Sequence, residues 1–173
     1  MLRKSKAAGV VSTPKYKSET LSTFQSAEEI IKALKRAEYE SRDASKALQK
    51  YFNESDKKKV AAKVWYFLRN ELIYLAEPKS NQTARTINRI LHDALNKNAT
   101  VDCKHYSVFA VGVLNACGVP AWFTFVGQNR NVKKPNHVYA SALINGRIYC
   151  IDACRKHFDS EPKYFYKWDI KRA

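Results

Sequence analysis

Apolar residues recur at helical spacing over roughly the first two thirds of the chain and then at strand spacing. Ser26-Ala27-Glu28-Glu29 reads as a capping box. It opens a helix whose buried side carries Ile30, Ile31, Leu34 and Ala37, then Ala44, Leu48 and Tyr51, with an interruption near Ser41. Ser55-Asp56 caps a second helix, with Val60, Val64, Phe67, Leu68 and Leu72 inward, that ends before Pro78. A third helix is predicted from Thr83 to about Asn96 on Ile87, Ile90, Leu91 and Ala94. From Val108 to Leu114 every residue is apolar or Gly, which predicts a helix buried on all sides. Asp102 is its N-cap and Gly118 stands where a left-handed residue would close it.

The rest of the chain reads as strands near Ala121–Val126, His137–Ile144 and Arg147–Ala153, with a last one around Tyr164–Lys167. Asn145-Gly146 between two apolar runs predicts a hairpin with a type I′ turn. That turn pairs Ile144 with Arg147 and, further out, Tyr139 with Asp152. One face then collects His137, Tyr139, Ser141, Ile148, Cys150 and Asp152. The other collects Val138, Ala140, Ala142, Ile144, Ile151 and Ala153. His137 lies diagonal to Asp152, at the reach of a long polar contact. The expected fold is α+β: N-terminal helices and a buried catalytic helix packed on a small antiparallel sheet.

The face that carries His137 gives this framework a chemistry. Cys103 falls in the first turn of the buried helix, where free N–H groups and the helix dipole favour thiolate over thiol. Cys103 would attack an acyl carbon, His137 exchange the proton, and Asp152 hold the ring's tautomer and stabilise the imidazolium. The backbone N–H of Cys103 is one oxyanion donor, and Gln82, just before the third helix, is a candidate second. Asp102 is read as a cap, His92 as a surface or packing residue, and Trp65 and Trp122 as core or walls of the cleft. The polar, basic stretch from Gly127 to Pro135 is expected to form a rim beside His137.

Composition narrows the classes. The 173 residues are 45% hydrophobic and 27% charged, the balance of one soluble globular domain. No apolar run approaches the ~20 residues of a membrane span, and Ala7 to Val11 is too short for a signal-peptide core. A cytoplasmic location, or packaging from a cytoplasm into a virus particle, is expected. Cysteines at 103, 117, 150 and 154 do not read as a disulfide framework. The net charge is +15, and residues 1–18 contribute Arg3, Lys4, Lys6, Lys15 and Lys17 without an acid. Residues 1–25 are therefore read as a basic arm ahead of a single domain at 26–173. Such an arm suits nucleic acid, a cell-wall polymer or an acidic protein, and equally a solubilising tail.

Val101-Asp102-Cys103-Lys104-His105-Tyr106-Ser107, Cys117-Gly118-Val119-Pro120-Ala121, Asn136-His137-Val138-Tyr139 and Tyr149-Cys150-Ile151-Asp152 together resemble the transglutaminase-like superfamily. The resemblance covers roughly residues 60–167. It implies a papain-type triad of Cys103, His137 and Asp152 and no cofactor. Asp-Cys-Lys-x-Tyr-Ser and the closing Tyr-Phe-Tyr-Lys-x-Asp are most similar to compact versions from bacterial viruses. Three positions depart from the family: Val101 stands for Gly, Tyr139 for a Trp near the His, and Ala153 for Pro. Val101 is expected to narrow the approach to the thiol.

The expected activity is that of a peptidase or amidase working through a thioester on Cys103, with protein cross-linking as the alternative acyl transfer. Two readings of other classes remain open. Cys150, Cys154 and His157 offer three soft ligands to a metal, although zinc prefers tighter paired spacings. A structural or binding module, with a relic triad and a working basic surface, is the other.

Overall fold

A computed structural model describes residues 2–13, 19–21, 26–78, 82–95 and 101–171. Helices come first. The capping box at Ser26 is present, with Ser26 Oγ accepting from the Glu29 N–H and the Glu29 carboxylate accepting from the Ser26 N–H. It opens α2 (Ala27–Glu40), which Ser41 separates from α3 (Arg42–Phe52). Ser41 is fully buried, and its hydroxyl donates to the Ala37 carbonyl at 2.6 Å while accepting from the Ile87 N–H at 2.8 Å. One side chain thus breaks the helix and caps another. Ser41→Ala leaves the Ile87 N–H buried without an acceptor, so urea denaturation should show a loss of about 1–3 kcal/mol.

Asp56 caps α4 (Lys57–Glu71) through the Lys58 and Lys59 N–H groups. The third predicted helix starts later than expected, as α5 (Ile87–Leu95); the expected end at Asn96 lies outside the described residues. Thr83 instead belongs to β2 (Gln82–Ala84), which pairs antiparallel with β1 (Glu19–Leu21). The reason is a local competitor. The Glu77 carboxylate accepts from both the Thr83 N–H and the Thr83 hydroxyl, holding that residue extended.

The basic arm folds in part. Residues Lys4–Val10 form α1, which rests on α5 and α3, with Ala7 fully buried. Glu71 at the end of α4 anchors it, accepting from Arg3 and from the Lys4 N–H at 3.1 Å each. A seven-residue helix with four small residues gives almost no periodic signal, so only its charge was legible.

The buried helix is α6 (Cys103–Ala116), covered by α2, α3, α4 and the sheet. Gly112 allows that closeness: a Cβ there would lie 2.7 Å from Ser45 Oγ and 3.1 Å from Ile87 Cδ1. Gly118, at φ 71°, closes the helix as predicted. The sheet has β3 (Ala121–Gly127), β4 (His137–Ile144), β5 (Arg147–Ile151) and β6 (Tyr166–Ile170) in the order β5-β4-β3-β6, all antiparallel. Asn145 and Gly146 both have positive φ, and Ile144 pairs with Arg147, as the hairpin requires. Val138, Ala140, Ala142, Ile144 and Ile151 face the main core, while Tyr139 and Cys150 form a small second cluster with Val126. The last strand begins two residues later than predicted. The architecture is α+β, and no described helix is long and apolar enough to cross a membrane.

Candidate active site

α6, β4 and the turn after β5 bring Cys103, His137 and Asp152 together. Asp102 caps α6 by accepting from the Lys104 N–H at 3.0 Å, which fixes Cys103 as the first helical residue. The Cys103 N–H has no carbonyl to bond within its own helix. The thiol is partly buried and interacts electrostatically with the ring of His137. His137 Nε2 meets Asp152 Oδ2 at 2.8 Å, so Nδ1 is the ring atom left for the sulfur. The contact is shorter than the register suggested, because β5 ends at Ile151 and Asp152 turns off the ladder.

Asp152 is itself held from three sides. Its Oδ1 accepts from the Cys154 N–H at 3.0 Å, and its backbone carbonyl accepts from Trp65 Nε1 at 3.0 Å. Burial works against charge on His137, yet the hydrogen bonds and charges of Asp152 and Cys103 outweigh it and push its pKa up to about 10. The site therefore suits an imidazolium facing a sulfur. The other thiols differ. Burial pushes Cys117 up to about 11 and raises Cys150 and Cys154 as well, Cys154 further through Asp152 and Cys103.

Cys103 and His137 open into a cleft of about 580 Å³. Asn129, Val132, Lys134 and Pro135 line its rim, where the sequence placed it. Gln82 also lines it, but its amide donates to the Glu77 and Pro78 carbonyls at 2.8 and 3.1 Å. Its Oε1 takes the Lys104 ammonium at 2.5 Å. Val101 does not narrow the cleft. It is 1% exposed and forms a bridge with Tyr74, turned into the core.

Tyr74 is the residue that sequence reading missed. Its ring lines the cleft, and burial followed by the charges of Cys103, Cys154, Asp102 and Asp152 pushes its phenol up, so it stays an O–H donor. Its bridge to Val101, just ahead of α6, and its ring contact with Tyr106 put it there. The sequence marks Trp65 as core or a wall of the cleft rather than a donor to Asp152, and Cys154 only as a metal ligand. Beneath the cleft, the Lys104 ammonium is 8% exposed and contacts Asp102, Gln82 and Glu77. It stands amid the acids that, with His105, would otherwise resemble a cation site. Cys150, Cys154 and His157 do not converge. Cys150 donates to the Ser160 carbonyl, Cys154 sits beside His137 and Asp152, and His157 is exposed.

Residues 43–173 match the family described as transglutaminase-like domain. The chain belongs to that family. No curated protein matches it. Its fold is similar to the crystal structure of a protein from Parabacteroides distasonis named as a putative protease, with a TM-score of 0.57 and 16% identity. The match covers 73% of this chain and 26% of that one, so the transglutaminase-like chain spans about a quarter of its neighbour's length.

Proposed function

We propose that this transglutaminase-like domain is a cysteine-dependent acyl-transfer enzyme, acting first as a peptidase or amidase. The placing of Cys103 and His137 in the lining of one cleft, with His137 Nε2 held by Asp152 Oδ2 at 2.8 Å, carries the reading. The Cys103 thiolate adds to an amide carbon, and the oxyanion takes the Cys103 N–H and the Tyr74 hydroxyl. Tyr74 replaces Gln82 as the assigned donor, because both Gln82 amide protons already have acceptors. The C–N bond then breaks as His137 gives its Nδ1 proton to the leaving nitrogen. Water, deprotonated by the same nitrogen, releases the acid and frees the sulfur; an amine in water's place gives transfer.

An anionic partner remains part of the proposal. Lys6, Lys50, Lys59 and Lys63, the last paired with Glu54, line a groove of about 850 Å³ where α1 meets α3 and α4, with Lys6 and Lys50 both over the Tyr51 ring. The nucleophile itself is testable by alkylation. Iodoacetamide at neutral pH should modify Cys103 at least tenfold faster than Cys117, since the thiolate is the reactive form. Peptide mapping that finds all four cysteines equally slow would remove the nucleophile.

A further inference from the structure

Behind the catalytic imidazole lies a second cavity of about 250 Å³, walled by His137, Asp152, Cys154 and Tyr74. His137 and Tyr74 also line the main cleft, so the two spaces share those two walls. Two guanidinium groups from distant parts of the chain border this second cavity. Arg69 comes from the last turn of α4 and Arg155 from the turn after Asp152. Both residues are exposed, and among the described residues neither guanidinium has a hydrogen-bond or ion-pair acceptor. The acid in the wall does not serve them. Asp152 is 3% exposed, and its oxygens are taken by His137 and the Cys154 N–H. Two arginines without an acceptor among the described residues, lining one small cavity, supply the charge and donors suited to a carboxylate.

The triad's geometry says which half of the substrate reaches that pair. The acyl half stays on the Cys103 sulfur. The amine half must depart over the group that protonates it, and that group is His137. The amine nitrogen meets Nδ1 in the main cleft, and its substituents extend past His137 and Tyr74, which line both spaces, into the second cavity. We propose that Arg69 and Arg155 form a carboxylate-recognising subsite for the amine half of the reaction. The enzyme then favours amines that carry a carboxylate, from a chain terminus or from an acidic side chain. This rests on the acyl-transfer reading above and specifies its substrate class.

Partition of an acyl-enzyme tests the subsite without knowledge of the natural acyl donor. p-Nitrophenyl acetate acetylates Cys103, forming the C–S bond and releasing p-nitrophenolate. An added amine then attacks the thioester: the C–N bond forms, the C–S bond breaks, and His137 takes the amine proton as the thiolate leaves. Glycylglycine and glycylglycinamide differ in a terminal carboxylate, and glycyl-aspartamide carries the acid on a side chain instead. Acetyl transfer, followed by mass spectrometry and normalised to free amine, should favour at least one acid by about tenfold over glycylglycinamide. The two acid arms distinguish terminus from side chain. High salt should shrink the ratio in the unmodified enzyme, Arg69→Gln and Arg155→Gln should bring it towards one, and Arg69→Lys should keep part of it. A Cys103-dependent burst with equal transfer to all three amines would overturn the subsite alone. Absence of the burst would overturn the acyl-transfer reading and the subsite with it.

Discussion

Cys103→Ala should abolish turnover while leaving the fold intact. In the proposed mechanism the sulfur alone bonds to the substrate carbon, so its loss removes the covalent route rather than slowing it. In comparable triads, loss of the nucleophile lowers kcat by roughly 10⁶, with ~10³ over water remaining from oxyanion donors and binding. The p-nitrophenolate burst should vanish, and hydrolysis of any identified amide substrate should fall to that residue. Stability should change little. The thiol is partly exposed at the cleft, and the helix start is secured by the Asp102 cap and the Tyr106 N–H bond to the Asp102 carbonyl. Alanine is also the best helix former at that position. A thermal midpoint within a few degrees, with the burst gone, fits the mechanism. A burst that persists in Cys103→Ala would end it.

What could be read from sequence follows the range of the interaction. The capping box at Ser26, the break at Ser41, the Asp102 cap, Gly118 and the Asn145-Gly146 turn are set by residues a few positions apart, and all were legible. The placement of Cys103, His137 and Asp152 was legible because Cys103 and His137 sit at predicted element ends, and the hairpin register carries Asp152 to His137. What escaped depends on contacts across the chain. Thr83 is pulled from helix to strand by Glu77 and by its pairing partner in β1, which no helical period reports. Tyr74 reaches the cleft through a bridge to Val101, 27 positions on. Trp65 reaches Asp152 across 87 positions, and an indole in a helical stripe looks the same whether it packs or donates.

These long-range contacts divide the labour of the site. One polar layer, made of Glu77, Thr83, His105 and Lys104, lies under the start of α6 and fixes Asp102. His105 Nδ1 accepts the Asp102 N–H at 3.1 Å, and its Nε2 meets the Thr83 hydroxyl at 3.2 Å. Burial tends to raise Asp102, yet His105 and Lys104 hold it below the usual carboxylate range, so the cap keeps its charge. The other layer fixes His137. Tyr139 packs near its ring with centroids 6.3 Å apart and is anchored by its own hydroxyl on Glu161. Sulfur and imidazole are thus positioned from opposite sides, by different elements, and meet at the mouth of the cleft.

Asp152→Asn should lower kcat/KM by about 10³–10⁴, in line with the loss when the carboxylate of a triad becomes an amide. The two oxygens of Asp152 face two donors, the His137 Nε2–H and the Cys154 N–H. An amide has one oxygen for these two positions. With its NH₂ towards the ring, Nε2 becomes the acceptor and the proton moves to Nδ1, where it cannot be taken from the thiol. With its NH₂ towards Cys154, two donors face each other in a buried site. The pH profile separates this account from simple damage. His137 is pushed up to about 10 in part by the Asp152 charge, so the basic limb of kcat/KM, where the imidazolium is lost, belongs near that pH. Removing the charge lowers the ring's pKa and should move the limb acidward by at least a unit. Stability follows the same sign. A folded pKa above the unfolded value of about 6.5 stabilises the native state fully below that pH, and the contribution is lost as pH rises towards about 10. In Asp152→Asn that window should narrow from its upper end. A rate loss with an unshifted basic limb would mean that Asp152 holds the turn and leaves the imidazole's charge to other groups.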